Sequence, residues 1–504
     1  MSAGRTTRSK TRRPSSREHH ATPARSPQEA VEQLKAENER LRRELSEAKK
    51  QIGDLERQLA LRQQNSTTSS KPPSSDGLAG CQRERGRRKK SRRKRGGQLG
   101  HPGHCRPLVP PERVNQTVQL FPEACRHCHR ALPESGRQVT GEPRRHQITE
   151  LPPIAAHITE YQCPLVVCPA CGKTTQAPVP EEIEGQFGPQ LTALIAYLTV
   201  VCRLPRLVVQ ALLEGALQIP ISVGSTQKAW EEASAAVADP YQELKEALKH
   251  QAVLNGDETG HRTNGEKRWL WTLVAPTYVF YTIATRRSAT VLVQLLGKVF
   301  DGILGSDRLA TYTKYHKGLL QFCWAHFKRN LLSVHDLATT AEAKRFCREA
   351  LALEKQLFRL WHRFRGDPRS RGAPITRQQL IDKATPLQKK FFALAERHLN
   401  STDKGVRNAA NALFARHAHF FVFVDHEGVE PTNNCAERAL RTAVQWRKIS
   451  FGTRSADGEM AVARLLTVTR TCQMQQLSAL VYLTAAIQSY RRRQTVASLL
   501  PKRP

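Results

Sequence analysis

Around residue 250 the chain changes its hydrophobic period, and that change limits the fold more than any other feature of the sequence. Before it, apolar residues recur at helical spacing; after it come short runs that read as strands. "QAVLNGDET" ends at residue 259, "RWLWTLVAP" covers 268–276 and "TYVFYTIATR" covers 277–286. "SATVLVQLLGKVF" then reads as a short helix, and "GILGSDRLATY" (302–312) as a fourth strand running into a loop. The order is β-β-β-α-β. The first strand carries two adjacent carboxylates, Asp257 and Glu258, in a chain with 79 Lys plus Arg against 45 Asp plus Glu, a net of +34.

That order is the order of a ribonuclease H-like core, in which the first and fourth strands are neighbours and acids on both can meet. Strand alternation puts Val253, Asn255 and Asp257 on one face and turns Glu258 to the other. Asp257 is therefore the candidate, and Glu258 a bystander or a supporting partner. On the fourth strand Asp307 stands at the C-terminal end, whereas Asp301 precedes the strand and falls at the wrong edge. Two carboxylates can hold a pair of Mg²⁺ ions when a third acid closes the site. A long helical stretch follows, from "AEAKRFCREALALEKQLFRLW" to "ALFARHAHF". Beyond it "NNCAERALR" (433–441) opens a helix after Pro431, with Asn433, Glu437 and Arg441 on one face. Glu437 is one candidate for the third acid, and Asp425, Glu427 and Glu430 are its rivals. Asn434 and Glu437 also have the spacing of a capping box, a purely structural role.

The excess of positive charge points to a polyanionic partner, with nucleic acid first. The longest apolar stretch, "LTALIAYLTVVC" (191–202), is too short to span a bilayer, and the basic start has no apolar core of a secretory signal. Reduced cysteines and a cytoplasmic location are the expectation, with no membrane partner. Residues 1–25 are basic and polar, with the composition of a disordered arm. From Val31 a heptad follows, with Val31, Asn38, Leu45, Ile52 and Leu59 at one core position and Leu34, Leu41, Ala48 and Leu55 at the other. This is the pattern of a coiled coil, and the single Asn38 favours a two-stranded pair. "NSTTSSKPPSSDG" (65–77) is a linker. The run of Arg87, Arg88, Lys89, Lys90, Arg92, Arg93, Lys94 and Arg95 has no interleaved aromatic residues, so it offers phosphate affinity with little sequence choice. Two C-x-x-C turns, Cys125 with Cys128 and Cys168 with Cys171, suit one structural Zn²⁺ ion. Residues 186–250 read as helices whose second and third members admit a helix-turn-helix.

Taken in order, "NSTTSSKPPSSD", "GGQLGHPGH" (96–104), the two cysteine turns, "DET", "GSDRLATY", "CWAHFKRN" (323–330), "NNCAERALR" and "WRKISFGTRSADG" (446–458) resemble the transposases of bacterial insertion-sequence family 66. The resemblance implies a DDE transposase, with two Mg²⁺ or Mn²⁺ ions on Asp257, Asp307 and Glu437 of a ribonuclease H-like core interrupted by a helical insertion. It implies cleavage at element ends and strand transfer into target DNA. Arg438, Arg441, Arg447 and Lys448, around the third acid, become candidate contacts to double-stranded DNA. Cys323 and His326 fall within a matching motif without an assigned role, and Trp446 reads as a core aromatic. Accessory proteins encoded beside such enzymes are further expected partners.

The expected chain is thus a multidomain α/β protein: a basic arm (1–25), a coiled coil (26–62) and a linker with a basic DNA-contacting segment (63–112). A zinc-binding domain (113–178), a helical domain (179–250) and a catalytic domain (251–460) with its insertion at about 335–420 come next. C-terminal helices and a basic tail (461–504) finish it. Leu34, Asn38, Leu41, Leu45, Ile52, Leu55 and Leu59 would make a homodimer or a higher oligomer. A dimeric DNA-binding regulator and an inactive transposase remnant are the alternatives; the first leaves the acids without a purpose.

Overall fold

A computed structural model describes residues 27–63, 106–135, 137–183, 185–368 and 370–501. The N-terminal arm and the basic run from Arg87 to Arg95 lie outside the described residues. The heptad segment is one helix, α1 (Pro27–Gln63). Its apolar stripe has no core to enter, since Leu34, Leu41, Leu45, Ile52, Leu55 and Leu59 remain 53–66% exposed. From residue 106 to 191 no described residue is buried. This segment carries one antiparallel hairpin, β1 (Leu165–Val167) with β2 (Thr174–Gln176). Hydrophobic burial does not hold it together.

Helical packing begins at Pro189, the first residue of α2 (Pro189–Val200), where a missing N–H costs nothing. Next come α3 (Arg206–Leu217), ended by Gln218 in the left-handed region, and α4 (Val223–Ala236), capped by the Ser222 side chain. The helix α5 (Ala238–Ala247) leads into the sheet.

Five strands form a mixed sheet in the order β5-β4-β3-β6-β7. β3 (Val253–Thr263), β4 (Glu266–Val274) and β5 (Val279–Ala284) are an antiparallel meander. The chain crosses back through α6 (Ala289–Leu296), and β6 (Ile303–Ser306) pairs parallel to β3. After α7 (Ala310–Tyr315), β7 (Leu320–Phe322) adds parallel to β6. First and fourth strands are neighbours, as the sequence order requires. Two readings change. The fourth strand stops at Ser306, because Asp307 Oδ1 accepts the Leu309 N–H and turns the chain into α7. The fifth strand, "LQF", went unread because three buried residues show no period.

α8 (Trp324–Leu337) follows β7 directly, and α9 (Ala341–Phe364), α10 (Arg377–Arg397) and α11 (Lys404–Ala415) build a helical insertion. The insertion is keyed to the sheet by Trp324, whose ring meets Phe327, Phe391, Phe420 and Phe421 at centroid distances of 5.1–5.8 Å. A short turn, α12 (Val422–Asp425), returns the chain to α13 (Asn434–Ser450). Tyr281 Oη on β5 donates to the Ala439 carbonyl at 2.8 Å and fixes α13 across the sheet.

The last two helices are α14 (Ala456–Met474) and α15 (Ala479–Arg491). α14 lies along β5, an outer strand of the sheet. Thr467 Oγ1 accepts the Tyr281 N–H at 2.9 Å, and Thr471 Oγ1 accepts the Val279 N–H at 3.2 Å. An otherwise open strand edge is thereby closed by hydroxyls one helical turn apart. Among the described residues, no helix is long and apolar enough to cross a membrane.

Candidate active site

Pairing of β3 with β6 sets Asn255 opposite Gly305. Two residues beyond this pair stand Asp257, still on β3, and Asp307, the first residue past the end of β6. β6 pairs Ser306 with Phe322 of β7, and the Cys323 N–H donates to the Ser306 carbonyl at 2.9 Å. Asp257 on β3 is thus joined by Asp307 and Cys323, the residues that directly follow the ends of the neighbouring strands β6 and β7.

Glu258 points to the opposite face, as alternation demands. Its carboxylate is buried and accepts from Tyr312 Oη at 2.5 Å and from Arg287 Nε at 2.8 Å. Tyr312 belongs to α7, so this bond ties β3 to the helix that begins just after Asp307. Only glycine at 256 leaves room, since a Cβ there would stand 2.9 Å from the Tyr312 ring. Glu258 is thus a buried supporting acid.

The start of α13 differs from the expected capping box. Asn433, not Asn434, is the N-cap residue, and its side chain makes no cap bond. Instead Asn433 Nδ2 donates to the Gly256 carbonyl at 2.7 Å, and its backbone N–H donates to Cys323 Sγ at 3.2 Å. The helix is pinned to both β3 and the end of β7, which carries Glu437 toward the other two acids. Glu437 Oε1 lies 3.1 Å from Arg329 Nη2 and 3.3 Å from His326 Nδ1. The rival acids are engaged elsewhere: Glu430 pairs with Arg365, and Asp425 and Glu427 act on the Arg377 guanidinium.

Electrostatics link the three acids. Burial, and then the charges of Glu258, Asp307 and Glu437, push the Asp257 carboxyl well above the ordinary carboxylate range. Arg438, Arg441 and Lys448 are exposed along α13, while half-buried Arg447 reaches Thr259 Oγ1 at 3.4 Å. Trp446 is buried in the core, as its reading predicted. Arg329 and Tyr312 were missed. Each acts on a residue distant in sequence, Arg329 across 108 positions, and no local pattern marks them.

The two cysteine turns share one backbone design. The Cys125 N–H bonds to the Arg130 carbonyl and the His129 N–H to the Cys125 carbonyl; Cys168, Lys173 and Gly172 repeat this arrangement. His129 and Gly172 both take left-handed φ values, 58° and 69°. Hydrogen bonds from Cys128 and the His127 backbone lower the pKa of Cys125, and Cys171 and Ala170 do the same for Cys168. The four sulfurs are not gathered into one cluster. Among the described residues, the group whose ligand atoms all lie within 4.8 Å of one another is Cys323, His326 and Glu437.

The sheet, the acids and the cysteine–histidine pair all fall inside one family match. The profile described as Transposase IS66 family covers residues 184–461, more than half of the chain. The chain belongs to that transposase family. Residues 20–107 match a second profile, a family of unknown function (DUF6444). Two curated relatives from Sinorhizobium fredii (strain NBRC 101917 / NGR234) are similar. Uncharacterized protein y4qI is 24% identical over 242 residues, 44% of this chain and 43% of that protein. Uncharacterized protein y4jD is 23% identical over 428 residues, 76% of this chain and 78% of that protein. The chain thus spans less than half the length of the first and over three quarters of the second.

Proposed function

We propose that the chain is a DDE-type transposase with a ribonuclease H-like core, in which Asp257, Asp307 and Glu437 hold two divalent ions. One observation supports this reading: β3 and β6 pair in parallel up to Asn255 and Gly305, two residues short of both acids, and the charges of Asp307 and Glu437 both act on Asp257. The residues fit the ions. Asp257, Asp307 and Glu437 are hard oxygen donors whose charges act on one another, a repulsion a cation would relieve; their oxygens do not all lie within 4.8 Å and would have to draw together around it. When bound, Mg²⁺ ions supply activation of a water for attack on a phosphodiester and offset charge on the leaving oxygen.

The protein's own part is placement. Asn433 sets the start of α13 against Gly256 and Cys323, which fixes where Glu437 stands. Arg329 neutralises Glu437 and must release it as ions enter. Arg438, Arg441 and Lys448, exposed on α13, would contact a duplex backbone and add affinity without choosing sequence. The repeated knuckle geometry supports two halves of one Zn²⁺ site, Cys125 with Cys128 and Cys168 with Cys171, which would have to close on the ion and would then supply the stability that burial does not. The exposed stripe of α1 supports a coiled-coil dimer. Arg87 to Arg95 would contact DNA, and element ends, target DNA and accessory proteins would be the partners.

Asp257→Asn tests the site. Mg²⁺-dependent cleavage of element-end DNA should fall by at least about 10³-fold, equal to about 4 kcal/mol in the barrier, while DNA binding by electrophoretic shift persists. Undiminished cleavage by this variant would remove the enzymatic reading.

A further inference from the structure

A magnesium site needs hard oxygen donors. The thiol and the imidazole beside Glu437 are surplus to it. Cys323 caps the start of α8 and His326 follows three residues later, so both face one way. The separation of His326 Nδ1 from Glu437 Oε1, 3.3 Å, is already the spacing of two ligands on a tetrahedral ion, where bonds of about 2.0–2.3 Å put neighbouring donors roughly 3.3–3.6 Å apart. With all three ligand atoms inside 4.8 Å, the sulfur has to close by at most about 1 Å, which side-chain rotation supplies. His326 Nδ1 is buried and makes no hydrogen bond, so a donor stands ready. The Asn433 N–H already points at Cys323 Sγ from 3.2 Å, an outer contact of the kind that supports a metal-bound thiolate.

We infer that Cys323, His326 and Glu437 form a binding site for a soft divalent transition-metal ion, with Zn²⁺ the best match, that withdraws Glu437 from magnesium and stops cleavage. Sulfur and nitrogen ligands select zinc over magnesium, and three protein ligands leave a fourth position for water. Binding displaces the Cys323 thiol proton to solvent. Arg329 Nη2 holds the same Glu437 oxygen at 3.1 Å and opposes a cation there. Its side chain is one-quarter exposed and can swing away. The binding half of this inference stands on these residues alone; the inhibitory half rests on Glu437 being the third acid.

The test uses the full chain, stripped with a chelator and titrated with Co²⁺ and then Zn²⁺. Thiolate-to-cobalt absorption is recorded as a difference from Cys323→Ser, so that the knuckle cysteines cancel. Wild type should bind one more equivalent than Cys323→Ser or His326→Gln, or bind it at least about tenfold more tightly. Arg329→Ala should tighten it. Because Cys323 is buried, circular dichroism must match wild type, and His326→Gln, at a less buried position, gives the independent result. Equal stoichiometry and affinity in wild type and both variants overturns the site. In a second arm, element-end cleavage in Mg²⁺ is compared with and without Zn²⁺ within each protein, and the ratio should drop in wild type and stay near unity in Cys323→Ser. Zinc bound at this site without inhibition overturns the competition. Absence of cleavage by wild type in Mg²⁺ alone overturns the transposase reading instead, and the cobalt titration still decides the site.

Discussion

Asp257 carries a cost that its neighbours impose. Burial and the charges of Glu258, Asp307 and Glu437 raise its pKa in the folded chain. A raised folded-state value means a contribution to stability that is complete below the unfolded value, near 3.8, and is lost as pH climbs through the folded one. Metal-free protein should therefore lose stability as the pH rises above about 3.8, and Asp257→Asn should flatten that loss. Calorimetry at the higher pH should show the variant melting above wild type, by about 1–2 °C for each kcal/mol relieved in a chain of this size. Mg²⁺ should close the gap by stabilising wild type alone; a variant that melts lower would contradict the charge crowding. At this scale the sequence was partly legible. Strand alternation separates Asp257 from Glu258 because the period is two. The role of Asn433 was hidden, because its partners Gly256 and Cys323 lie 177 and 110 positions away.

Strands and helices show a second kind of dependence. β5 is an outer strand, yet two of its N–H groups end on threonines of a helix nearly two hundred residues later. Replacing Thr467 or Thr471 by the isosteric valine leaves a buried amide without an acceptor. Each change should cost about 1–3 kcal/mol in urea unfolding; no cost would mean that the edge is not closed by these hydroxyls. The motif "WRKISFGTRSADG" finds its structural meaning at the same scale. Gly452, at φ +101°, brings Thr453 beside Thr263 at the end of β3, where a Cβ would stand 2.2 Å from the Arg262 carbonyl oxygen. Four strands, and the helix between the third and the fourth, were readable from their patterns. β7 and α7 were not, since one has three residues and the other follows from a turn that Asp307 makes.

The whole molecule joins a packed α/β body to an exposed helix. The proposed coiled coil would cover the apolar stripe left in water along α1. Asn38→Val should strengthen that pairing and shift the oligomer toward larger species in sedimentation velocity, because a lone polar core residue fixes a two-stranded register at a cost in stability. An unchanged distribution would count against the coiled coil. The heptad was legible because it repeats; the closing of the body by α14 was not, since it depends on contacts that only the fold creates. The order of the ligands along the chain has a further result. Glu437 follows the whole insertion, 180 positions after Asp257, so a ribosome releases two acids long before the third. If the proposed triad does the cutting, a nascent or prematurely terminated polypeptide holds only part of it.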